Sequence, residues 1–290
     1  DPPSAAMHPP REITREELSR RLQDRETVPL GQWDGKLRQS IAGMQDKLYA
    51  GVNAVRRAVG AGAVVAIATG RMHASALQIA AAFGVPLPIV AYNGALATVP
   101  EQQAPLVHLP LSRVLAGEIL TFFRQRGWYI QSYLDNQFCV ERLDSKAQAY
   151  GKLAGTVPVP LGEELFSPAG DPLKLLAVAD SPEEAREMRR ATRERFGATV
   201  SVVLSTALFL DMGHPQASKG YAVEQLGAFY RVPRQNILAM GDSENDRSLF
   251  TAAGYGIAMK NASEELQELA DAVAESNDDD GVAQILEQLF

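Results

Sequence analysis

The sequence predicts an α/β protein whose core is a parallel sheet covered by helices on both faces, giving three layers, with an α+β unit inserted into it. Three observations lead there. Short runs apolar on both faces, "AVVAIA", "LPIVA" and "NILAM", alternate with helical patterns, as buried parallel strands do. Between about Pro110 and Leu208 the texture changes to strands with mixed faces. After Leu208 the alternation of helix and strand resumes to the end.

Taken in order, residues 1–13 are proline-rich, and "TREELSRRLQDRE" opens with Thr14 three residues before Glu17, the pattern of a capping box leading a very polar helix. "DKLYAGVNAVRRAVGAG" carries apolar residues at helical spacing, Leu48, Val52, Val55 and Val59, and stops at Gly60 and Gly62. "AVVAIATGR" then reads as a strand, "MHASALQIAAAFGV" as a helix and "LPIVAYNGA" as a second buried strand. In the middle, helices "LSRVLAGEILTFFRQRG" and "SPEEAREMRRATRERFG" alternate with strands "WYIQSYL", "FCVERL", "LKLLAVA" and "TVSVVLS". Helix "SKGYAVEQLGAFYRV", strand "NILAM" and the segments to Phe290 complete the core. The expected division is an N-terminal extension over 1–27, a core over 28–108 and 209–290, and an insert over 109–208. Trp33 is expected beside the core and Trp128 within the insert.

Composition excludes some functions. A formal charge of -7 and a pI near 5.3 argue against a nucleic-acid surface, which needs clustered Lys and Arg to displace counterions. No apolar run approaches the roughly 20 residues needed to cross a bilayer, and the start lacks the basic-then-apolar order of a secretory signal. The single cysteine, Cys139, forms no internal disulfide and fits a reducing compartment. The expectation is a cytoplasmic protein with no nucleic-acid or membrane partner; a homodimer is compatible with the sequence, which does not fix the oligomeric state.

In parallel sheets, ligands bind beyond the carboxyl ends of the strands. Three polar stretches fall there: "TGR" (Thr69, Gly70, Arg71), "NGA" (Asn93, Gly94, Ala95) and "GDSEND". Asp242 and Asp246 stand four apart, where a loop turning into a helix returns both side chains to the strand end and suits a hard cation such as magnesium. The plainer alternative is a helix start decorated with acids that favour its dipole. The stretch is not a calcium loop of the EF-hand kind, since Arg247 and Ala253 occupy its glycine and glutamate positions. Thr69 and the amides of Gly70 and Arg71 open a helix, where N–H groups favour an anion. Lys219 also opens a helix, against the dipole unless an anion is near. His108, His214 and Lys174 are further candidates for the cleft.

"ATGR", "SKGYAV", "GDSEND", "AMKNAS" and "ESNDDDGVAQIL", in this order and spacing, resemble the haloacid dehalogenase superfamily, specifically the Cof-type phosphatases, from about Ala50 onwards. The resemblance implies a Rossmann-like core, an α/β cap formed by the insert, and magnesium-dependent hydrolysis of a small phosphorylated metabolite. It implies Asp242 as a ligand of Mg2+, Asp246 as the acid supporting metal shell and lysine, Lys219 as the cation on the phosphate, Thr69 as the hydroxyl on a phosphoryl oxygen, and Asn245 as a polar contact. Arg71, Asn93 and Gly94 fall where such proteins approach the substrate or the cap, and Asn261 where the loop is supported.

The family's first motif, Asp-x-Asp-Gly-Thr, has its nearest match in "QWDGKL". Asp34 and Gly35 fit, with Asp34 as acid and metal neighbour, whereas Gln32 replaces the nucleophile and Lys36 the threonine. A neutral amide does not form the acyl-phosphate of the covalent route. Three accounts follow: a phosphatase impaired at Gln32, a phosphatase attacking through Asp34 or Asp46, or a non-catalytic phosphate-binding or scaffold protein. The preceding "TVPLG" is a poor central strand, because Pro29 cannot donate to a ladder.

Overall fold

A computed structural model of the chain describes residues 50–290. The expected helix over 14–26, the strand before Gln32, and Gln32, Trp33, Asp34, Lys36 and Asp46 lie outside the described residues. The core opens with helix α1 (residues 50–60), strand β1 (Ile67–Ala68), helix α2 (His73–Phe83) and strand β2 (Ile89–Ala91). β1 and β2 are parallel, and β3 (Leu96–Thr98) and β4 (Val107–His108) add two antiparallel strands beyond β2. The hairpin of β3 and β4 is absent from the sequence-based expectation.

The middle of the chain forms a second sheet. Helix α3 (Arg113–Gln125), strands β5 (Ile130–Leu134) and β6 (Gln137–Val140), helix α4 (Ser145–Ala154), strands β7 (Pro158–Pro160) and β8 (Lys174–Val178), helix α5 (Pro182–Phe196), and strands β9 (Ser201–Leu204) and β10 (Phe209–Gly213) follow one another. The sheet order is β7-β6-β5-β8-β10-β9, antiparallel except at β6 with β7. Between β5 and β6, Asp135 and Asn136 both have positive φ (50° and 57°), the geometry of a two-residue type I′ hairpin, which Asn and Asp tolerate. α5 follows its expectation closely: Ser181 Oγ caps the Glu184 N–H, Pro182 sits in the first turn, and Arg193 and Arg195 close the last. The sheet runs past the expected boundary at 208 to Gly213, because β10 pairs with both β8 and β9.

The faces of this sheet alternate with period two. Leu175 and Ala177 of β8 and Leu210 and Met212 of β10 turn to α3 and α5, where Ile119, Phe123 and Met188 are fully buried. Trp128 packs against the same cluster, edge-on to Phe123. Leu176, Tyr133 and Phe138 turn the other way, onto Met72, Ala76 and Tyr92 of the core. The inserted sheet therefore lies with one face against the first half of the core.

The chain returns through helix α6 (Lys219–Tyr230), strand β11 (Leu238–Gly241), helix α7 (Arg247–Ala252), strand β12 (Tyr255–Met259), helix α8 (Glu264–Leu269), strand β13 (Ala272–Ala274) and helix α9 (Gly281–Leu289). β11, β12 and β13 are parallel in that order. Among the described residues β1 and β11 each pair on one edge only. The two stay packed: Ala68 of β1 shares a cluster with Ala239 of β11, and Ile67 shares another with Met240. Cys139 is free and buried.

α6 and α7 cross at Gly220, where an added Cβ would lie 2.2 Å from the backbone oxygen of Ser248. Gly220→Ala is therefore expected to lower unfolding stability by about 1–3 kcal/mol through overpacking. Gly51, helical and with nothing within 4 Å of its would-be Cβ, should gain about 0.5–1 kcal/mol on change to Ala. Urea unfolding midpoints of the two variants check the contrast in sign.

Candidate functional site

The loops after β1 and β11 meet at one cavity of about 650 Å³, which the inserted sheet also lines. From the core come Thr69, Arg71, Lys219, Asp242, Asn245 and Asp246; from the insert come Tyr133, Lys174 and Asp211. A neighbouring cavity of about 390 Å³ shares Lys174, Asp211, Lys219 and Asn245 and adds Asn93. Thr69, Arg71, Lys219, Asp242, Asn245 and Asp246 thus share one cavity, Asn93 lines its neighbour, and Lys174, a further candidate from the sequence, lines both. His108 is exposed on β4, and the His214 ring accepts from the Gln216 N–H; neither lines these cavities. Gln32 and Asp34 lie outside the described residues.

The β11 loop turns tightly through a 3-10 segment, Glu244–Asp246, before α7. Asp246, 4% exposed, has both carboxylate oxygens engaged: Oδ1 accepts from Lys219 Nζ at 2.5 Å, and Oδ2 accepts from the Asp242 and Ser243 N–H groups at 3.0 Å each. It fastens the loop to the start of α6. Lys219, 5% exposed, also donates to Asn245 Oδ1 at 3.3 Å. Ser218 caps α6 by accepting from the Tyr221 N–H, so Lys219 stands in the first turn, where its charge opposes the dipole and needs the Asp246 carboxylate.

Asn245 reaches across to the β2 loop, donating through Nδ2 to Asn93 Oδ1 at 2.9 Å. That loop is strained: Tyr92, Asn93 and Gly94 run through φ of 50°, 56° and 94°. Such a run at an aromatic residue is costly and persists only where the surroundings over-determine it. Here Tyr92 N–H donates to Arg71 O and Asn93 N–H to Thr69 O, tying the β2 loop to the β1 loop. Only glycine suits the last position, where an added Cβ would lie 2.0 Å from Ser218 O. Tyr92 is buried, which pushes its phenol up to about 12, and its hydroxyl donates to Asn136 Oδ1 of the insert.

Asp242 differs from Asp246. It is exposed at the cavity, with Oδ1 accepting from Ser243 Oγ and Oδ2 from Asn261 Nδ2 at 2.8 Å, while Asn261 Oδ1 accepts from the Asn277 N–H. Its oxygens keep lone pairs for a cation, since a carboxylate accepts about four bonds. Among the described residues no group of three or more His, Cys, Asp or Glu stands together. The donor set present fits a hard cation that takes one protein carboxylate and draws the rest of its shell from water and a phosphate, as magnesium does. Asp246 directs three of its roughly four acceptor positions at lysine and loop amides. Two contributors escaped the sequence reading: Asp211, and the carbonyl of Gly70, which accepts from Lys174 Nζ at 2.8 Å.

Fold and site together define an α/β protein with its polar cluster at the carboxyl ends of parallel strands, overlaid by a second sheet. The chain belongs to the haloacid dehalogenase-like hydrolases, whose family profile matches residues 49–286. Among curated relatives, Phosphatase YwpJ of Bacillus subtilis is 27% identical over 262 residues, covering 82% of this chain and 92% of the relative. The 5-amino-6-(5-phospho-D-ribitylamino)uracil phosphatase YwtE of the same organism is 27% identical over 264 residues, covering 82% and 90%. The solved structure of a haloacid dehalogenase-like hydrolase from B. subtilis superposes with a TM-score of 0.73 at 25% identity, covering 82% of this chain and 92% of that one. Among the described residues no helix is long and apolar enough to cross a membrane.

Because Asp246 neutralises a buried lysine and holds two amides, Asp246→Ala should cost about 3–5 kcal/mol, the usual result of leaving one buried charge unpaired. Asp242→Ala, at an exposed carboxylate, should change stability by no more than about 0.5–1 kcal/mol. Chemical denaturation of both variants tests the division of labour between the two aspartates.

Proposed function

We propose that this chain is a magnesium-dependent phosphohydrolase of small phosphate monoesters, working beneath a cap formed by the inserted sheet. The observation that carries the reading is the convergence of Lys219, Thr69 and Asp242 on one cavity at the strand ends. The family and its phosphatase relatives support the reaction class; a sugar phosphate or a phosphorylated cofactor fits the size and polarity of the cavity.

In this reading Lys219, already fixed by Asp246, meets the phosphoryl oxygens without having to be ordered on binding. Thr69 Oγ1 accepts from the Arg71 N–H at 3.1 Å and offers its own proton to a second oxygen. Arg71, exposed at the cavity mouth, presents a planar fork to the substrate. Asn93 and Asn245 hold the two loops at a fixed separation through their mutual hydrogen bond. Asp242 would hold the magnesium ion, with Asn261 orienting its carboxylate, and the ion, when bound, supplies charge neutralisation at the phosphate. The inserted sheet excludes water from the cleft, as lids commonly do. Cytoplasmic location belongs to the same reading and rests on the single unpaired cysteine.

A second reading, phosphate binding without hydrolysis, is favoured by one feature of the sequence: in "QWDGKL", the nearest match to the family's first motif, Gln32 falls at the position of the attacking carboxylate. The two are separated by assaying p-nitrophenyl phosphate and a panel of sugar phosphates in magnesium. Gln32→Asp is expected to exceed the unmodified chain by at least about a hundredfold, in keeping with the effect of nucleophiles elsewhere. Asp242→Ala or a chelator should abolish the gain. Inorganic phosphate bound by both chains with turnover in neither would favour the second reading; neither binding nor turnover would overturn both.

A further inference from the structure

Lys174 is the most deeply buried lysine at the cleft, 3% exposed, and it comes from the insert rather than the core. On β8 it shares the core-facing side with Leu176, diagonally across from Asp211 of β10 and directly opposite Tyr133 of β5. Its ammonium lies 2.7 Å from Asp211 Oδ1, 4.8 Å from the centre of the Tyr133 ring, and 2.8 Å from the carbonyl oxygen of Gly70. Lys174 therefore has two oxygen partners, the Asp211 carboxylate as its ion pair and the Gly70 carbonyl as a hydrogen-bond acceptor. Burial works against the lysine's charge, and Asp211 and Tyr150 outweigh it, so the amine titrates above the ordinary lysine value and stays protonated.

The Gly70 carbonyl belongs to the same peptide unit as the Arg71 N–H, which points the other way and donates to Thr69 Oγ1. We propose that Lys174 is a positioning residue for the Thr69 hydroxyl: by holding the Gly70 carbonyl it fixes the Gly70–Arg71 peptide, whose N–H occupies one lone pair of Thr69 and leaves the hydroxyl proton directed into the cavity. The inference deepens the phosphate reading and rests on it for the identity of the acceptor. A positive charge on the carbonyl also polarises the peptide and strengthens its N–H as a donor, as consecutive hydrogen bonds do. Thr69 Oγ1 has no acceptor for its own proton among the described residues, so a ligand oxygen is its natural partner. Lys174 sits on the insert and Gly70 at the end of β1, so the bond exists only while the two are docked. Docking of the insert and preparation of the phosphate loop are thereby one event.

The test is amide hydrogen exchange of the full chain with Arg71 as reporter. Lys174→Met should speed exchange at Arg71 by about tenfold, the loss of one well-placed hydrogen bond, while Leu175 and Ala177 of β8 keep their protection. Thr69→Val, which removes the acceptor, should speed Arg71 in the same way. If Lys174→Met leaves Asp211 unpaired and the chain fails to fold, Lys174→Met with Asp211→Asn removes both charges together and takes its place. Unchanged exchange at Arg71, or a uniform rise through β8, overturns the inference and leaves Lys174 a structural ion-pair partner. Titration with inorganic phosphate, followed by phosphorus NMR, gives the second readout: the Lys174 variant should bind about fivefold more weakly than the unmodified chain, within the range of a single hydrogen bond. Absence of phosphate binding by the unmodified chain would sink the functional reading whichever way Arg71 exchanges. Phosphate binding that ignores Lys174 would sink the positioning role alone.

Discussion

The arrangement of the strand ends depends on one buried ion pair, Lys219 with Asp246. Two opposite charges this far from water are costly to bury and become tolerable only when every remaining donor and acceptor is satisfied. Asp246 goes far towards that condition by accepting from the amides of Asp242 and Ser243, and Lys219 by donating to Asn245, which leaves one of its three N–H groups for a ligand. The pair therefore fixes three things together: the turn after β11, the start of α6, and through Asn245 and Asn93 the loop after β2. A loop of mixed acids and amides would otherwise have several ways to hydrogen-bond with itself.

From that anchor, order passes to the strained turn at Tyr92–Gly94. Its three left-handed residues are held on each side by bonds to Thr69 and Arg71, by the asparagine bridge and by the close approach of Gly94 to Ser218. The insert then closes on the result by Tyr92 Oη to Asn136 and Lys174 Nζ to Gly70, which land on the loops after β2 and β1. A further contact, Arg189 of α5 with Glu244 at 3.5 Å, reaches the Asp242 loop, so the insert bears on both sides of the site.

Much of this was legible because buried parallel strands read as unbroken apolar runs, and their polar terminators mark the ligand edge whatever the exact topology. "GDSEND" and "TGR" were found on that ground. What the spacing of Asp242 and Asp246 could not reveal was their division of labour, since four residues apart describes equally two ligands or one ligand and one anchor. Asp211 was missed because an acid in a strand flanked by Leu210 and Met212 carries no signal until Lys174 is seen across the sheet. The same apolar context hid the membership of β10 in the insert, and α4 went unread because "SKAQAYGKLA" has little apolar periodicity, although Asp144 before it and Gly155 after it are cap residues that could have given it away. The hairpin of β3 and β4 is too short for alternation to register.

The two lysines at the cleft share a design with a consequence for binding. Each is almost wholly buried and each has its own aspartate, Lys219 with Asp246 and Lys174 with Asp211. Each pair adds a directed dipole to the cavity but no net charge, so neither lysine needs to be ordered when an anion arrives, and neither supplies much long-range attraction. A dianionic phosphate approaching a chain of net charge -7 must therefore be drawn by something else. Arg71, exposed at the mouth and without a carboxylate partner among the described residues, is one source; a cation on Asp242 is the other. In the phosphate reading, then, the paired lysines decide where the phosphoryl group sits, while the exposed arginine and the metal decide whether it comes at all.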